Sequence, residues 1–394
     1  MNVERPGTSG PRTVAALGTA QTLAWASSYY LPAVLAAPIA RDLHLPTATV
    51  FAAFSLALVV SAVLGPWAGH AIDRWGGRPV LSATSVVFAA GLLMLALAQG
   101  PVSMLAAWLV LGIGMGSGLY EGAFAALVRL EGPQARRSIT GITLLAGFAS
   151  TVGWPLSAWA EAEAGWRAAC ALWAGLHLLV GLPLNLCLPR APALARAGDS
   201  PTAAAEEPPA RGPAAALLAF VFAATWFIST AMAAHLPQLL QLAGLGAAAA
   251  IGVGALVGPA QVAARLFEFG VLRRVHPLLS ARLAAALHPA GAALLAMLGP
   301  AAAPAFAVLH GAGNGILTIA KGTLPLVLFG AGGYGRRQGW LMVPARLAQA
   351  LSPWVFGLAL EHWGLGALAI SGAIGAAALA ALLVLRTSSA ARTA

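Results

Sequence analysis

The sequence predicts an all-α membrane protein of twelve transmembrane helices in two pseudo-symmetric six-helix bundles, and three observations predict it. Charged residues make up 9% of the 394 positions and hydrophobic ones 59%, whereas a soluble domain carries about 25% charged residues. A surface so poor in charge must be covered by lipid. Apolar runs of roughly 20 residues, enough to cross about 30 Å of hydrocarbon, recur along the whole chain. The two halves also repeat each other at a nearly constant offset.

The charge pattern agrees. Of the 22 basic residues, 21 are Arg and one is Lys, and the net charge is +10. The arginines stand singly or in pairs between apolar stretches, which fits a positive-inside distribution better than a phosphate-binding face, so no nucleic-acid partner is expected. Cys170 and Cys187 lie in one apolar stretch without metal-ligand spacing, so neither a disulfide framework nor a zinc site is indicated. No metal or cofactor is expected. The first apolar run contains LAAPIA, reminiscent of a cleavage site, but it is too long for a signal peptide and many more runs follow. It reads as the first span.

The expected spans are 13–39, 47–71, 79–99, 102–128, 138–160, 168–187, 214–242, 247–270, 283–299, 303–329, 338–360 and 365–385. None shows the alternation of outer-membrane strands. Arg74 and Arg78 follow span 2; Arg129, Arg136 and Arg137 follow span 4; Arg190, Arg196 and Arg211 lie mid-chain. Arg273, Arg274 and Arg282 follow span 8, Arg336 and Arg337 follow span 10, and Arg386 and Arg392 close the chain. The opposite loops hold only Arg41 and Arg167. The distribution predicts a multi-pass protein of the cytoplasmic (inner) membrane with both termini cytoplasmic.

Residues 188–212, LPRAPALARAGDSPTAAAEEPPARG, lack an apolar face and read as a cytoplasmic linker. The expected domains are therefore an N-terminal bundle over 1–187 and a C-terminal bundle over 213–394. Arg137 and Glu161 bracket span 5 with 23 residues between them, and Arg337 and Glu361 bracket span 11 identically, at an offset of 200. GIGMG at 112–116 matches GAGNG at 311–315, and LGP at 64–66 matches VGP at 257–259. Three ordered matches make an internal repeat.

The loop after span 2 reads GHAIDRWGGRPV. It resembles the signature G-x-x-x-D-R-x-G-R-[RK] of the major facilitator superfamily through Gly69, Asp73, Arg74, Gly76 and Arg78, with Gly77 replacing the first basic residue of the terminal pair. The physics suits the residue types. Gly69 permits close helix approach, Asp73 needs a cation or a helix N-terminus, and Arg74 and Arg78 are able to bind that carboxylate, lipid phosphate or both. The resemblance implies a cluster that latches the cytoplasmic side in one state. The plainer alternative is a positive-inside anchor. The matching C-half segment lacks the motif. Trp108 replaces the arginine of many proton-coupled members, and Gly153-Trp154-Pro155-Leu156 only partly resembles the drug-antiporter motif G-P-x-x-G-G.

Ionisable residues at mid-membrane cost about 2.5–3.5 kcal/mol or more and mark function or pairing. Glu121 lies eight residues before Arg129, roughly 12 Å inside the membrane edge, and Lys321 occupies the near-equivalent place in span 10. Helices 4 and 10 line the cavity in the resembled family, which implies either a Glu121–Lys321 salt bridge joining the halves or a shared substrate site. Arg346, roughly 14 Å deep, has no acid near it in sequence, so a substrate oxyanion or Glu121 is its expected partner. Arg265 stands three residues before Glu268, suited to an i,i+3 pair.

Further candidates for the substrate site are Gln21, Trp25, Tyr29 and Tyr30 in span 1, His235 in span 7 and Asn314 in span 10. Gln21, Trp25 and Ser28 share one helical face. His177 reads as structural. Pro32, Pro155, Pro325 and Pro344 are expected to kink their helices. No phosphate-binding loop G-x-x-x-x-G-K-[ST] occurs, and Ser117 lacks both an elbow motif and a histidine in its span, so an enzyme is not expected.

The resemblance implies a monomeric secondary transporter working by alternating access. The expected cargo is a small organic anion held by Arg346 and Lys321, with Glu121 carrying the coupling proton. Export of a toxic or amphipathic compound and a non-transporting sensor are the alternatives. The chain is also generally similar to bacterial facilitators linked to metalloid resistance, but two cysteines in one span support thiol capture poorly.

Overall fold

The computed structural model describes residues 10–191, 212–254 and 256–385, and these residues are helical without any strand. The expected linker lies, from 192 to 211, outside the described residues, as do both chain ends. Twelve crossings emerge among the described residues, and several are built from two helices. The first comprises α1 (Pro11–Ser27) and α2 (Leu31–Asp42), interrupted at 28–30. Then come α3 (Thr47–Trp75) and α4 (Gly77–Ala96). The fourth crossing is α5 (Pro101–Gly118) plus α6 (Tyr120–Glu131), broken where Leu119 takes an extended conformation. The fifth combines α7 (Arg136–Ala146) with the start of α8 (Ala149–Leu176).

The fifth and sixth crossings meet inside α8 at Gly165, whose φ of +82° reverses the chain where a side chain would be strained. The sixth continues through a π-helical turn, His177–Gly181, into α9 (Leu182–Leu186). The second half has α10 (Pro213–Leu242), α11 (Ala247–Gly254) with α12 (Val257–Gly270), α13 (Pro277–Leu298), α14 (Ala303–Phe329), α15 (Tyr334–Trp363) and α16 (Leu368–Val384). By length and composition, seven stretches are apolar enough to cross a membrane. Three of them, of 46, 53 and 51 residues, have the length of more than one crossing. Pro32 stands in the first turn of α2, directly after the break at 28–30, whereas α8, α14 and α15 run on through Pro155, Pro325 and Pro344.

The chain divides into two compact units. One is Met1–Ala210 with Phe329–Trp340, the other Arg211–Leu328 with Leu341–Ala394. The short segment at the start of α15 thus joins the first unit, although sequence order puts it in the second half.

Each unit is held by the same glycine device. In the first, a Cβ on Gly112 would stand 2.6 Å from the Ala57 carbonyl oxygen, and one on Gly116 would stand 2.9 Å from that of Ser61. In the second, a Cβ on Gly311 would stand 2.6 Å from the Val257 oxygen, and one on Gly315 would stand 2.5 Å from that of Gln261. The repeated glycines therefore seat α5 on α3 and α14 on α12, with backbones in near contact as small-residue membrane crossings require. At one end of the first unit Arg167 stacks on Trp166, pairs with Asp42 and donates to the Ala98 carbonyl at 2.8 Å, tying three crossings together.

Candidate functional site

The break in the first crossing gathers aromatic rings in the first unit. Trp25 lies 5.2 Å from Tyr29, 6.3 Å from Tyr30 and 4.8 Å from Tyr120, and Tyr29 lies 5.4 Å from Tyr30. Phe54 packs between Tyr29 and Trp108 at 5.6 and 5.5 Å. Three of the expected residues, Trp25, Tyr29 and Tyr30, thus form one cluster. Tyr120 joins it because the break at Leu119 restarts the helix beside it. Gln21 does something else: it is buried and donates from Nε2 to the Gly118 carbonyl at 2.6 Å, satisfying an acceptor that the end of α5 leaves open. Glu121, half-buried, sits in the first turn of α6, where the helix dipole favours a carboxylate.

In the second unit two buried cations meet one indole. The Lys321 ammonium stands 4.0 Å from the Trp226 ring centroid and the Arg346 guanidinium 5.5 Å from it. Lys321 is 4% exposed and Arg346 2%. Arg346 also donates to Gln349 Oε1 at 3.0 Å. A desolvated cation over an indole gains about 2 kcal/mol, so Trp226 holds both side chains in place. Two like charges thus share one aromatic contact. Asn314 is half-buried on α14, two turns before Lys321 and so on its face. His235 stands apart from this group: its Nε2 is 2.7 Å from the Pro353 carbonyl and its ring packs by Phe356.

At the far end of α3 the Asp73 carboxylate accepts the backbone N–H of Gly335 through Oδ1 and of Arg336 through Oδ2, both at 2.9 Å. These are open donors of the first turn of α15. A Cβ on Gly69 would overlap the Gly335 backbone, so α3 and α15 cross with no side chain between them. Buried Tyr334 lies within electrostatic range of Asp73, Glu121 and Arg337.

Residues 17–324 match the family model of the Major Facilitator Superfamily. The chain belongs to that superfamily. It is a membrane transporter, not an enzyme. Among solved structures it resembles the human organic anion transporter MFSD10 (TETRAN) with a TM-score of 0.73 and 20% identity, over 96% of this chain and 100% of that one. It resembles the proton:xylose symporter XylE (0.73, 13% identity, 94% of each chain) and FucP in the outward conformation (0.73, 16% identity, 94% of this chain and 97% of that one). At such identities the likeness shows the shared fold. A search of curated proteins found no match.

Within this facilitator the loop signature is arranged differently from the charge pairing open to it. Gly76 takes φ +84° between α3 and α4, a conformation that needs glycine. Arg74 turns to the Trp75 ring at 5.9 Å, and Arg129 donates to the Asp73 backbone carbonyl at 3.1 Å. Among the described residues neither Arg74 nor Arg78 pairs with Asp73, whose two oxygens accept backbone amides of α15 instead. Arg265 reaches Gln261 at 3.4 Å, and Glu268 accepts from Ser280 at 3.2 Å. Trp226, Gln349 and Tyr120 escaped sequence reading. A tryptophan beside a threonine, Thr225, within span 7 was the available signal for Trp226.

Proposed function

We propose that this facilitator is a proton-coupled secondary active transporter of small organic anions. It works by alternating access as a monomer in the bacterial inner membrane, with both termini cytoplasmic. The convergence of Lys321 and Arg346 on Trp226 carries the reading, because a preorganised positive site in a low-dielectric interior selects negative charge. Glu121 is the proton carrier in this scheme, poised in the first turn of α6, and substrate binding competes with its protonation. The fold neighbours include an organic anion transporter and a proton symporter, and the arginine distribution supports the orientation.

The aromatic cluster around Trp25 supports a second reading, export of an amphipathic compound. Thermal unfolding of purified protein against a panel of carboxylates and their neutral amides separates the two. Anion transport predicts that carboxylates raise the wild-type midpoint while the amides, and carboxylates with Lys321→Ala or Arg346→Ala, do not. Stabilisation by the amides alone would favour the second reading.

A further inference from the structure

The first unit contains a second polar site, remote in composition from the cationic one, in a space the size of about one water molecule. Gln21, Thr84, Ser85, Gly118, His177 and Asn185 line it. Hydrogen-bond chemistry fixes which amide atoms are left without a partner. Gln21 Nε2 donates to the Gly118 carbonyl, and Asn185 Nδ2 donates to the Leu81 carbonyl at 3.2 Å. A carbonyl only accepts, so neither amide is reversible, and Gln21 Oε1 and Asn185 Oδ1 are the atoms left over. Both are buried without a hydrogen-bond partner, on side chains 2% and 6% exposed. The Ser85 hydroxyl donates to the Leu81 carbonyl and accepts from Asn185 Nδ2 at 2.9 Å, and the Thr84 hydroxyl lies within reach of the Val80 carbonyl and Ser117 Oγ, so each oxygen keeps at most one further lone pair.

The site is therefore rich in neutral oxygen acceptors and contains no carboxylate and no lysine or arginine. Its position adds to the bias. α5 ends at Gly118 in the wall, and α1 ends at Ser27, whose hydroxyl lies 2.7 Å from His177 Nε2. The last-turn carbonyls of α5 bring negative partial charge to that wall, as the ends of broken helices do around bound cations in transporters. The π-helical turn at 177–181 bends the sixth crossing so that His177 stacks on Phe88 at 4.9 Å. His177 Nδ1 and Ser85 Oγ would stand 3.4 and 3.6 Å from a Cβ on Gly181, so both flank the space there.

We infer that this cavity binds a single sodium ion. Hard neutral oxygens select a hard cation, the missing carboxylates disfavour calcium and magnesium, and sodium is the harder of the two abundant alkali cations. The ion would satisfy both orphan amide oxygens and brace the break at Leu119, from which Tyr120 and Glu121 project.

The test is the unfolding midpoint of the purified full-length protein in sodium, potassium and choline chloride at equal ionic strength, with no transport assay involved. The expected result is a saturable rise in sodium, a smaller one in potassium and none in choline. Asn185→Leu should abolish the sodium dependence. Radioactive sodium should bind wild-type protein, which keeps the question open to test if Asn185→Leu does not fold. Identical midpoints in all three salts, an undiminished sodium effect in folded Asn185→Leu, or no radioactive sodium bound would each overturn the proposal, leaving the cavity to an ordered water.

Discussion

Asp73 reaches across 262 residues of sequence to accept the backbone N–H of Gly335 at 2.9 Å, with the next amide, of Arg336, on its other oxygen. An acidic residue at a helix N-terminus is stabilised by the open amides and the dipole together. This contact makes the start of α15 part of the first unit.

Asp73→Asn tests it. The amide retains one acceptor but turns an NH2 toward an N–H, and hydrogen bonds to charged groups are worth about 1.5–3 kcal/mol. The variant should express and insert, unfold several degrees earlier than wild type and transport at least tenfold more slowly. A midpoint within error of wild type would show that the two bonds contribute little.

Gly69→Ala should be worse, because its methyl has nowhere to go: the Gly335 backbone already fills that space. Gly65→Ala is the control one turn away, where the nearest atom to an added Cβ is 3.7 Å distant, an ordinary contact. The account expects Gly69→Ala to lose transport and Gly65→Ala to keep it within about twofold, since a relaxed surface contact costs under ~0.5 kcal/mol. Equal activities would mean that α3 and α15 adjust freely.

Much of this was legible in the sequence, for physical reasons. Twelve crossings follow from hydropathy, since the solvent for each helix is lipid. The glycine repeats followed from their spacing, and the structure shows why both survive: each seats one helix backbone on another. The breaks at 28–30 and Leu119 were hidden, because a helix interruption inside a membrane is paid for by side chains distant in sequence, as Gln21 does for Gly118. The partner of Asp73 was half-legible. Sequence reading offered a cation or a helix end, and the helix end is what the fold supplies. Trp226 was missed because a tryptophan in an apolar span looks like packing until two cations arrive beside it.

Trp226→Ala should weaken carboxylate binding about tenfold, the equivalent of losing ~1.4 kcal/mol. Trp226→Phe should lose less, since a benzene face attracts cations more weakly than indole. Titration of the stabilising carboxylate found by thermal unfolding checks both. Unchanged affinity in Trp226→Ala would remove the indole from the site.

The most direct measurement is flux of that carboxylate into proteoliposomes under an imposed pH gradient. The account predicts uphill accumulation by wild type that collapses when the gradient is dissipated. Glu121→Gln should exchange the anion across the membrane but no longer accumulate it, with a flat pH profile. Accumulation by Glu121→Gln with the wild-type pH profile, or wild-type flux indifferent to the gradient, would contradict proton-coupled anion transport.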